Sequence, residues 1–561
     1  MAQAEEPSCV YDESSYKSLS AAQLNTLRAK RYSDYAEIYR RYAQMYPQYG
    51  WYADLYQRYA ERYAAYAHRD METFANTVVY LAGNSEHDVV HLVENLLRAS
   101  TSQAHESYAN LLAKSSLLQT TCTYDQCPNN PNKFIDDGCG CDEVDVSLAP
   151  DSFPLEEGTA VFPDIGKVLT SIQYDIDAQR IYGHATVYFR VAESGFPIID
   201  LDADPISVSL NSETLAAADY VRVVDPDRVT SLRTVKRAVE PNRCYTLEVS
   251  YELSNPHLIK ASFSDDSVDM SFDMTDIDDL FMTRQLPRYW EAFGPTGLEY
   301  DSYKHLLTIE LQSDSQIAEH RVFSNGQVTT QGNGNIFQIN FPNHYATSSF
   351  FVHLAPVAKY EVLEAEQRGI PMIIYKDKDR EDIDLAHELE AASAYIDQFE
   401  EDLGQYPHES FVALYKDARF QGAMEYAGAT MLARREHLGH EIFHSWFARS
   451  VRPANGDAGV IDELLAEWSE SGYTSQVYNP QNYSEIITGS PYARSISIDV
   501  YFRTSILPEL ANILERQGMN LKQVVREFFQ VHVGQAVNLQ MFKQFIEGQT
   551  GLDLTHFSLS K

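Results

Sequence analysis

A His-Glu-x-x-His motif, in which x is any residue, is the feature of this 561-residue chain whose residue types and spacing point most directly to chemistry. It consists of His440, Glu441 and His444 with two apolar residues between them. On a helix the two histidines stand one turn apart on one face, so two neutral imidazoles can reach the same tetrahedral Zn²⁺. Glu441 then lies where it can contact a metal-bound water rather than the metal. The motif predicts a zinc site with a general base beside it.

A catalytic zinc ion needs a third protein ligand and one open coordination position. Glu463 lies 19 residues after His444, in a second helical pattern at 460–468, and is the candidate for that ligand. Glu467 follows one turn later on the same face. It either accepts a hydrogen bond from a ligand histidine or is an ordinary exposed carboxylate. The sequence therefore predicts one zinc ion on His440, His444 and Glu463.

Further elements accompany the motif in order along the chain. A Gly-Ala-Met-Glu-Tyr segment occupies 422–426, and Trp446 follows the second histidine after one residue. With the later glutamate, these elements resemble the aminopeptidase N family of zinc metallopeptidases, the gluzincins. Segments 170–177 and 183–185 resemble the first sandwich strands of that family, and 501–504 resembles its Tyr-x-Lys-Gly segment.

This resemblance implies roles for particular residues. Zn²⁺ would polarise the scissile carbonyl, while Glu441 would take the proton of the attacking water and pass it to the leaving amine. Tyr501 would donate a hydrogen bond to the developing oxyanion. Tyr501 is preferred over Tyr492 and Tyr483 because an apolar helical pattern follows it at 506–510.

The resemblance also implies a substrate-binding set of Gly422, Ala423, Met424 and Glu425. The backbone of Gly422 and Ala423 would pair with the peptide as an added strand. Glu425 would bind a free α-ammonium group, which predicts an exopeptidase that releases N-terminal residues. A carboxylate binds a cation well only if no Lys or Arg neutralises it first.

The sequence departs from the family in ways that leave alternatives open. Tyr426 replaces the family's Asn, and we expect the large C-terminal helical domain of many relatives to have no counterpart here. We therefore expect a cleft that is more open or covered differently. One alternative is an endopeptidase or a protease that cleaves glycopeptides. Another is a non-enzymatic binding module, against which the complete ligand set and Glu441 argue.

The elements that position these residues indicate an α+β multidomain protein in four parts. These are a helical Tyr-rich domain at 1–121, a Cys-rich acidic linker at 122–149, a β-sandwich domain at 150–357 and a thermolysin-like, mostly helical zinc peptidase domain at 358–561. Alternation and turn residues predict the strands, and good helix formers at 431–437 lead into the metal motif. The expected strands are 168–174, 185–191, 206–210, 245–251, 305–311, 337–341, 372–375 and 411–415, and the expected long helix is 384–403.

Two rows of tyrosines spaced by three and four residues run along the N-terminal region. They are Tyr32, Tyr35, Tyr39, Tyr42 and Tyr46, and then Tyr49, Tyr52, Tyr56, Tyr59, Tyr63 and Tyr66. This spacing favours a helical hairpin that packs the tyrosines inward. The alternative is an aromatic surface for a partner or a glycan.

The charge balance and the cysteines bear on partners and compartment. Lys and Arg total 44 against 81 Asp and Glu, a net charge of −37. This argues against nucleic acid as the main partner, and no apolar run is long enough for a membrane span. We expect the first residues not to form a signal peptide, because they have no basic start and no apolar stretch. Its six cysteines favour disulfides and hence a secreted or periplasmic location, with free thiols or a zinc knuckle as alternatives.

Overall fold

The structure is a computed structural model that describes Cys139 and most of residues 143–554. The gaps lie at 176–177, 179, 229–230, 254–259, 263–266, 270–279, 282–289, 315–318, 417–421, 457–459, 477–489 and 493–505. The predicted helical domain with its tyrosine rows, and most of the predicted linker, lie outside the described residues. The described residues from Val144 onward belong to one compact unit.

The first half of this unit is built of strands. They are β1 (Phe153–Leu155), β2 (Gly158–Val161), β3 (Pro163–Asp175), β4 (Arg180–Val191), β5 (Phe196–Pro197), β6 (Pro205–Leu210), β7 (Glu213–Leu215), β8 (Tyr220–Val224), β9 (Ser231–Val235), β10 (Tyr245–Leu253), β11 (Lys260–Ser262), β12 (Ser267–Asp269), β13 (Leu280–Phe281), β14 (Lys304–Gln312), β15 (His320–Ser324), β16 (Gln327–Gln331), β17 (Ile336–Asn340) and β18 (Val352–Pro356). Short 3₁₀ turns occur at Ala217–Asp219, Trp290–Ala292 and Val357–Lys359.

Eight of these strands form one sheet in the order β16-β17-β14-β3-β4-β10-β6-β7. Its pairs are antiparallel except for β14 and β3, which run parallel. Inward residues alternate with outward ones along β10 and β14, as expected for a sheet with one face on a core. All six strands predicted for this half are present, because alternation is a local signal that the chain itself carries.

The second half combines a five-stranded sheet with helices. Its elements are β19 (Tyr360–Gln367), β20 (Ile370–Asp377), α1 (Leu385–Asp402), β21 (Phe411–Tyr415), β22 (Ala423–Tyr426), β23 (Ala429–Leu432), a 3₁₀ turn (Arg435–His437), α2 (Leu438–Phe443), β24 (Arg452–Pro453), a π-helical turn (Val460–Leu464), α3 (Leu465–Glu470), α4 (Ile506–Arg516), α5 (Leu521–His532), β25 (Ala536–Val537) and α6 (Leu539–Thr550). The sheet order is β19-β20-β21-β23-β22. The mixed α+β class is therefore confirmed.

The five-stranded sheet lies between two apolar cores. Along β21, Val412 and Leu414 join the core that contains β3, β4, β10 and β14. Phe411, Ala413 and Tyr415 point the other way, into a core shared with the helices. The first core thus continues across residue 357, where the sequence predicts a domain boundary. That boundary stays a prediction.

Local signals also fix α1. Asp384 caps its N-terminus by accepting hydrogen bonds from the backbone N–H groups of Ala386 and His387. The strands predicted at 372–375 and 411–415 and the helix predicted at 384–403 are confirmed. One expectation was wrong: part of the segment 431–437 is strand, because Met431 and Leu432 pair with β21 and β22. The helix begins only at Leu438.

A disulfide joins Cys139 to Cys244, 105 residues away and next to β10. This confirms the expectation of a disulfide for two of the six cysteines and removes Cys139 from any zinc knuckle. The other four lie outside the described residues. Among the described helices, none is long and apolar enough to cross a membrane.

Candidate metal centre

The two motif histidines lie within and at the end of a short helix that packs against its neighbours. His440 is inside α2 and His444 caps the C-terminus of that helix, with their ring centroids 4.8 Å apart. Gly439 allows close approach to α1, because a Cβ atom there would lie 2.7 Å from the ring of Tyr395. Ile442 is fully buried in the second core. Packing on one face of α2 therefore leaves the histidines directed towards the π-helical turn.

Glu463 reaches the histidines from that turn, which runs directly into α3. Its Oε2 lies 3.2 Å from Nε2 of His440 and 3.8 Å from Nε2 of His444. One ligand atom from each of the three residues lies within 4.8 Å of the others. A π-helical turn is a local widening of the helix that is often found at functional sites. The structure thus brings the three predicted zinc ligands together.

Two further carboxylates stand at the outer nitrogens of the imidazoles. Nδ1 of His444 lies 3.2 Å from Oδ1 of Asp462, and Nδ1 of His440 lies 3.5 Å from Oε1 of Glu470. Such carboxylates orient ligand histidines and select the tautomer that leaves Nε2 free for a metal. Glu467, which the sequence offered either for this role or as an ordinary exposed carboxylate, is half-buried and has a carboxylate oxygen within 4.8 Å of ligand atoms of His440 and Glu470. Asp462 and Glu470 were not predicted from the sequence. Asp462 could have been found because it is adjacent to Glu463 in the sequence. Glu470 could have been found because it lies on α3, the helix that continues from the turn containing Glu463.

The electrostatics of the cluster fit a cation. Burial alone would lower the pKa of His444, but Asp462, Glu425 and Glu463 outweigh it and raise that pKa to about 9. The pKa of His440 is likewise raised, since Glu463 and Glu470 outweigh its burial. A site that holds protons this firmly has an excess of negative charge. Two imidazoles and one carboxylate, backed by outer carboxylates, form a donor set suited to Zn²⁺.

Glu441 is buried beside the ligands without belonging to them. Its Oε2 has no hydrogen-bond partner among the described residues. Burial raises the pKa of Glu441 to about 8, with the histidines opposing this rise and Glu425 adding to it. A divalent cation bound at the three predicted ligands would further oppose this rise in the pKa of Glu441. This carboxylate therefore has the burial and the position of a group that exchanges protons near neutral pH.

Three of the four predicted substrate-binding residues lie on β22, the edge strand of its sheet, and Gly422 directly precedes that strand. The carbonyl of Gly422 accepts a hydrogen bond from Ala433 N at 2.9 Å, which ties the start of the strand to β23. Met424 and Tyr426 are buried in the first core. Side chains alternate along a strand, so Glu425 points away from that core. Its carboxylate lies within 4.8 Å of ligand atoms of Glu441 and His444.

Glu425 is also joined to a residue that the sequence reasoning missed. Nη2 of Arg449 donates a hydrogen bond to Oε1 of Glu425 in a buried ion pair. Arg449 lies in the turn after α2, five residues beyond His444. Sequence spacing alone does not show that this turn folds back towards β22.

The predicted oxyanion donor, Tyr501, lies outside the described residues, as does Tyr483. Tyr492, the second candidate, packs its ring 5.7 Å from that of Phe153. Its hydroxyl donates to the carbonyl of Asp151 at 3.1 Å. Tyr492 therefore belongs to a small apolar cluster near β1, and the preference for Tyr501 stays a prediction.

The fold has counterparts among solved structures. The chain has the fold of the M1 zinc metallopeptidases. It is similar to the M1 zinc metallopeptidase from Deinococcus radiodurans, with a TM-score of 0.50 and 16% identity over 69% of this chain and 91% of that one. It is also similar to native yeast LTA4 hydrolase, with a TM-score of 0.50 and 12% identity over 70% of this chain and 67% of that one. No family model and no curated protein matches the sequence.

Proposed function

We propose that the protein is a zinc-dependent metallopeptidase that hydrolyses peptide bonds. The observation that carries this proposal is the convergence of His440, His444 and Glu463 on one point beside the buried carboxylate of Glu441. A fold shared with zinc metallopeptidases supports it. A binding module that used the metal only as a scaffold would have no need of Glu441.

The residues of the site have separate tasks in this proposal. His440, His444 and Glu463 hold the zinc, which when bound supplies Lewis acidity towards the scissile carbonyl and lowers the pKa of water. Glu441 accepts a proton from the attacking water and passes it to the leaving nitrogen. Asp462, whose Oδ1 lies 3.2 Å from the outer nitrogen of His444, keeps the ring of that histidine oriented.

The substrate backbone is proposed to lie along the edge of β22. Gly422, Ala423 and Met424 would pair with it as an added strand, which supplies main-chain hydrogen bonds without selecting side chains. Tyr501 is proposed, on the family resemblance, to donate a hydrogen bond to the developing oxyanion.

Two modes of cleavage remain for this site. Release of N-terminal residues needs Glu425 as the receptor for the substrate's ammonium group, and Glu425 does lie next to Glu441. Cleavage within a chain, or of a glycopeptide, needs no such receptor. The ion pair between Glu425 and Arg449 is the specific observation that favours this second mode.

The disulfide between Cys139 and Cys244 supports the further proposal that the protein works in an oxidising compartment, either secreted or periplasmic. A partner or glycan at the N-terminal tyrosines is a hypothesis that rests on the sequence alone.

The proposal is tested by zinc analysis together with digestion of a peptide library read by mass spectrometry. We expect one zinc ion per chain and zinc-dependent cleavage, with the fragments showing whether ends or interior bonds are cut. A preparation that holds zinc but cleaves no peptide would favour the non-enzymatic module instead.

A further inference from the structure

The ion pair between Arg449 and Glu425 is buried in the proposed substrate cleft. The side chain of Arg449 is 2% exposed and that of Glu425 is 6% exposed. The guanidinium group of arginine cannot be deprotonated in proteins, so the positive charge is permanent. The cleft therefore contains a fixed cation directly on the carboxylate that the family resemblance assigns to ammonium binding.

Several contacts hold Arg449 in this position. Its backbone N–H donates to the carbonyl of His444 at 3.0 Å, which fixes it to the end of α2. Its Nη1 donates to Oγ of Ser348 at 2.5 Å. Ser348 in turn donates to Oε2 of Glu299 at 2.8 Å, so the pair belongs to a buried network. Arg449 is thus anchored at its backbone and at its guanidinium group, and a substrate would not displace it easily.

The other carboxylates beside Glu425 already have tasks. Glu463 belongs to the zinc ligands, and Glu441 must remain able to exchange a proton. An ammonium group that enters the cleft loses its water, and this cost is repaid only by an opposite charge that is not already neutralised. Because Arg449 neutralises Glu425, the pair offers an ammonium group little net attraction.

We infer that Arg449 is a positioning residue that sets substrate specificity: by holding Glu425 in an ion pair, it makes the cleft accept substrates with an uncharged amide nitrogen on the residue before the scissile bond. Such substrates are internal peptide bonds and N-terminally acylated peptides. This inference rests on the proposed peptidase function and concerns the class of substrate at that same site.

The wild-type protein tests the inference without any substitution. Three peptides share one scissile bond after the same residue, which carries a free amine, an acetylated amine or a two-residue extension. We expect the acetylated or the extended peptide to be cleaved with a kcat/KM at least equal to that of the free peptide. Cleavage of both the acetylated and the extended peptide indicates that the enzyme accepts internal peptide bonds. Cleavage of the acetylated peptide alone indicates that it accepts only N-terminally acylated peptides. A preference of tenfold or more for the free amine would overturn the inference.

Variants then connect the effect to Arg449. Arg449→Met should lower KM for the free peptide and raise its kcat/KM by about tenfold relative to the acetylated one, because Glu425 regains its net charge. Arg449→Lys keeps the positive charge and should keep the wild-type ratio of kcat/KM between the free and the acetylated peptide. The double variant Arg449→Met/Glu425→Gln has neither charge and should keep that ratio too. If Arg449→Met does not fold, the ratio of kcat/KM between the free and the acetylated peptide, measured on the wild type and on the double variant, still tests the inference.

Failure of the inference differs from failure of the proposed function. A zinc-loaded protein that cleaves none of the three peptides and nothing in the library contradicts the peptidase itself. An active enzyme that needs a free amine, and loses that requirement in Glu425→Gln, contradicts only the role of Arg449.

Discussion

Oδ1 of Asp462 lies 3.2 Å from Nδ1 of His444, while Nε2 of the same ring lies 3.8 Å from Oε2 of Glu463. The imidazole therefore lies between the carboxylate of Asp462 and that of Glu463, the proposed zinc ligand. Asp462 and Glu463 are neighbours in the chain and contact opposite nitrogens of one ring. The π-helical turn that contains both residues brings them to the same histidine.

The first prediction follows from this arrangement. Asp462→Asn should weaken zinc binding by about 10- to 100-fold, because the ring loses the partner that fixes its tautomer and orientation. Competition with a chromophoric chelator measures this affinity directly. Glu436→Gln is a suitable control, since its side chain is 61% exposed, and it should bind zinc like the wild type. Equal affinities for Asp462→Asn and the control would show that Asp462 does not support the ligand.

The second prediction concerns Glu441. Glu441→Gln should keep the zinc ion and lose turnover by several orders of magnitude, because the general base is absent while the ligands are intact. Zinc content and kcat on one peptide are measured on the same preparation. Loss of the metal together with activity would assign Glu441 to the ligands instead, and full activity would reject its role as base.

Sequence patterns predicted the parts of this structure that are specified locally. The spacing of His440 and His444 follows from one helical turn, and the strands of the large sheet follow from alternation of inward and outward residues. The segment before the motif was misassigned because Met431 and Leu432 have good helix propensity. Pairing with β21 and β22 overrides that propensity.

The parts that sequence missed depend on tertiary structure. Glu470 lies on α3, and only the packing of α2 against α3 brings it to 3.5 Å from His440. Arg449 meets Glu425 because the turn after α2 approaches the edge strand β22. The resemblance named Glu425 as a receptor, and the energetics of buried charges set the condition that no Arg neutralises it. Only the structure shows that such an Arg is present.

The third prediction concerns the free energy of unfolding when the ion pair between Glu425 and Arg449 is broken. Glu425→Ala leaves the guanidinium of Arg449 buried without its partner and should lower the free energy of unfolding by about 3–5 kcal/mol. Urea denaturation measures this loss. The exposed pair of Arg434 and Glu436 provides the matched control, with side chains 62% and 61% exposed. Glu436→Ala should cost less than about 1 kcal/mol.

A comparable loss in the two variants would mean that Arg449 finds other partners when Glu425 is removed. The double variant Glu425→Ala/Arg449→Met separates the possibilities, since it removes both charges. It should be more stable than Glu425→Ala alone, although it lacks one more native side chain.

The fourth prediction is a pH dependence of stability that originates away from the proposed zinc site. His305 is fully buried among aromatic rings, 4.9 Å from the ring of Trp290 and 4.8 Å from that of Phe350. Burial lowers its pKa to about 3. The pKa of an unfolded histidine is about 6.5, so between these values the unfolded chain binds the proton and the folded chain does not. The contribution of His305 to stability should therefore be complete above pH 6.5 and be lost as the pH drops towards 3.

This single group contributes a slope of up to about 1.4 kcal/mol per pH unit in that range. Urea unfolding at pH 7, 6, 5 and 4 gives the slope, and His305→Gln should make it shallower even if the variant is less stable at pH 7. His184→Gln, which changes an exposed histidine, should keep the wild-type slope. Parallel curves for wild type and His305→Gln would show that other groups cause the acid sensitivity.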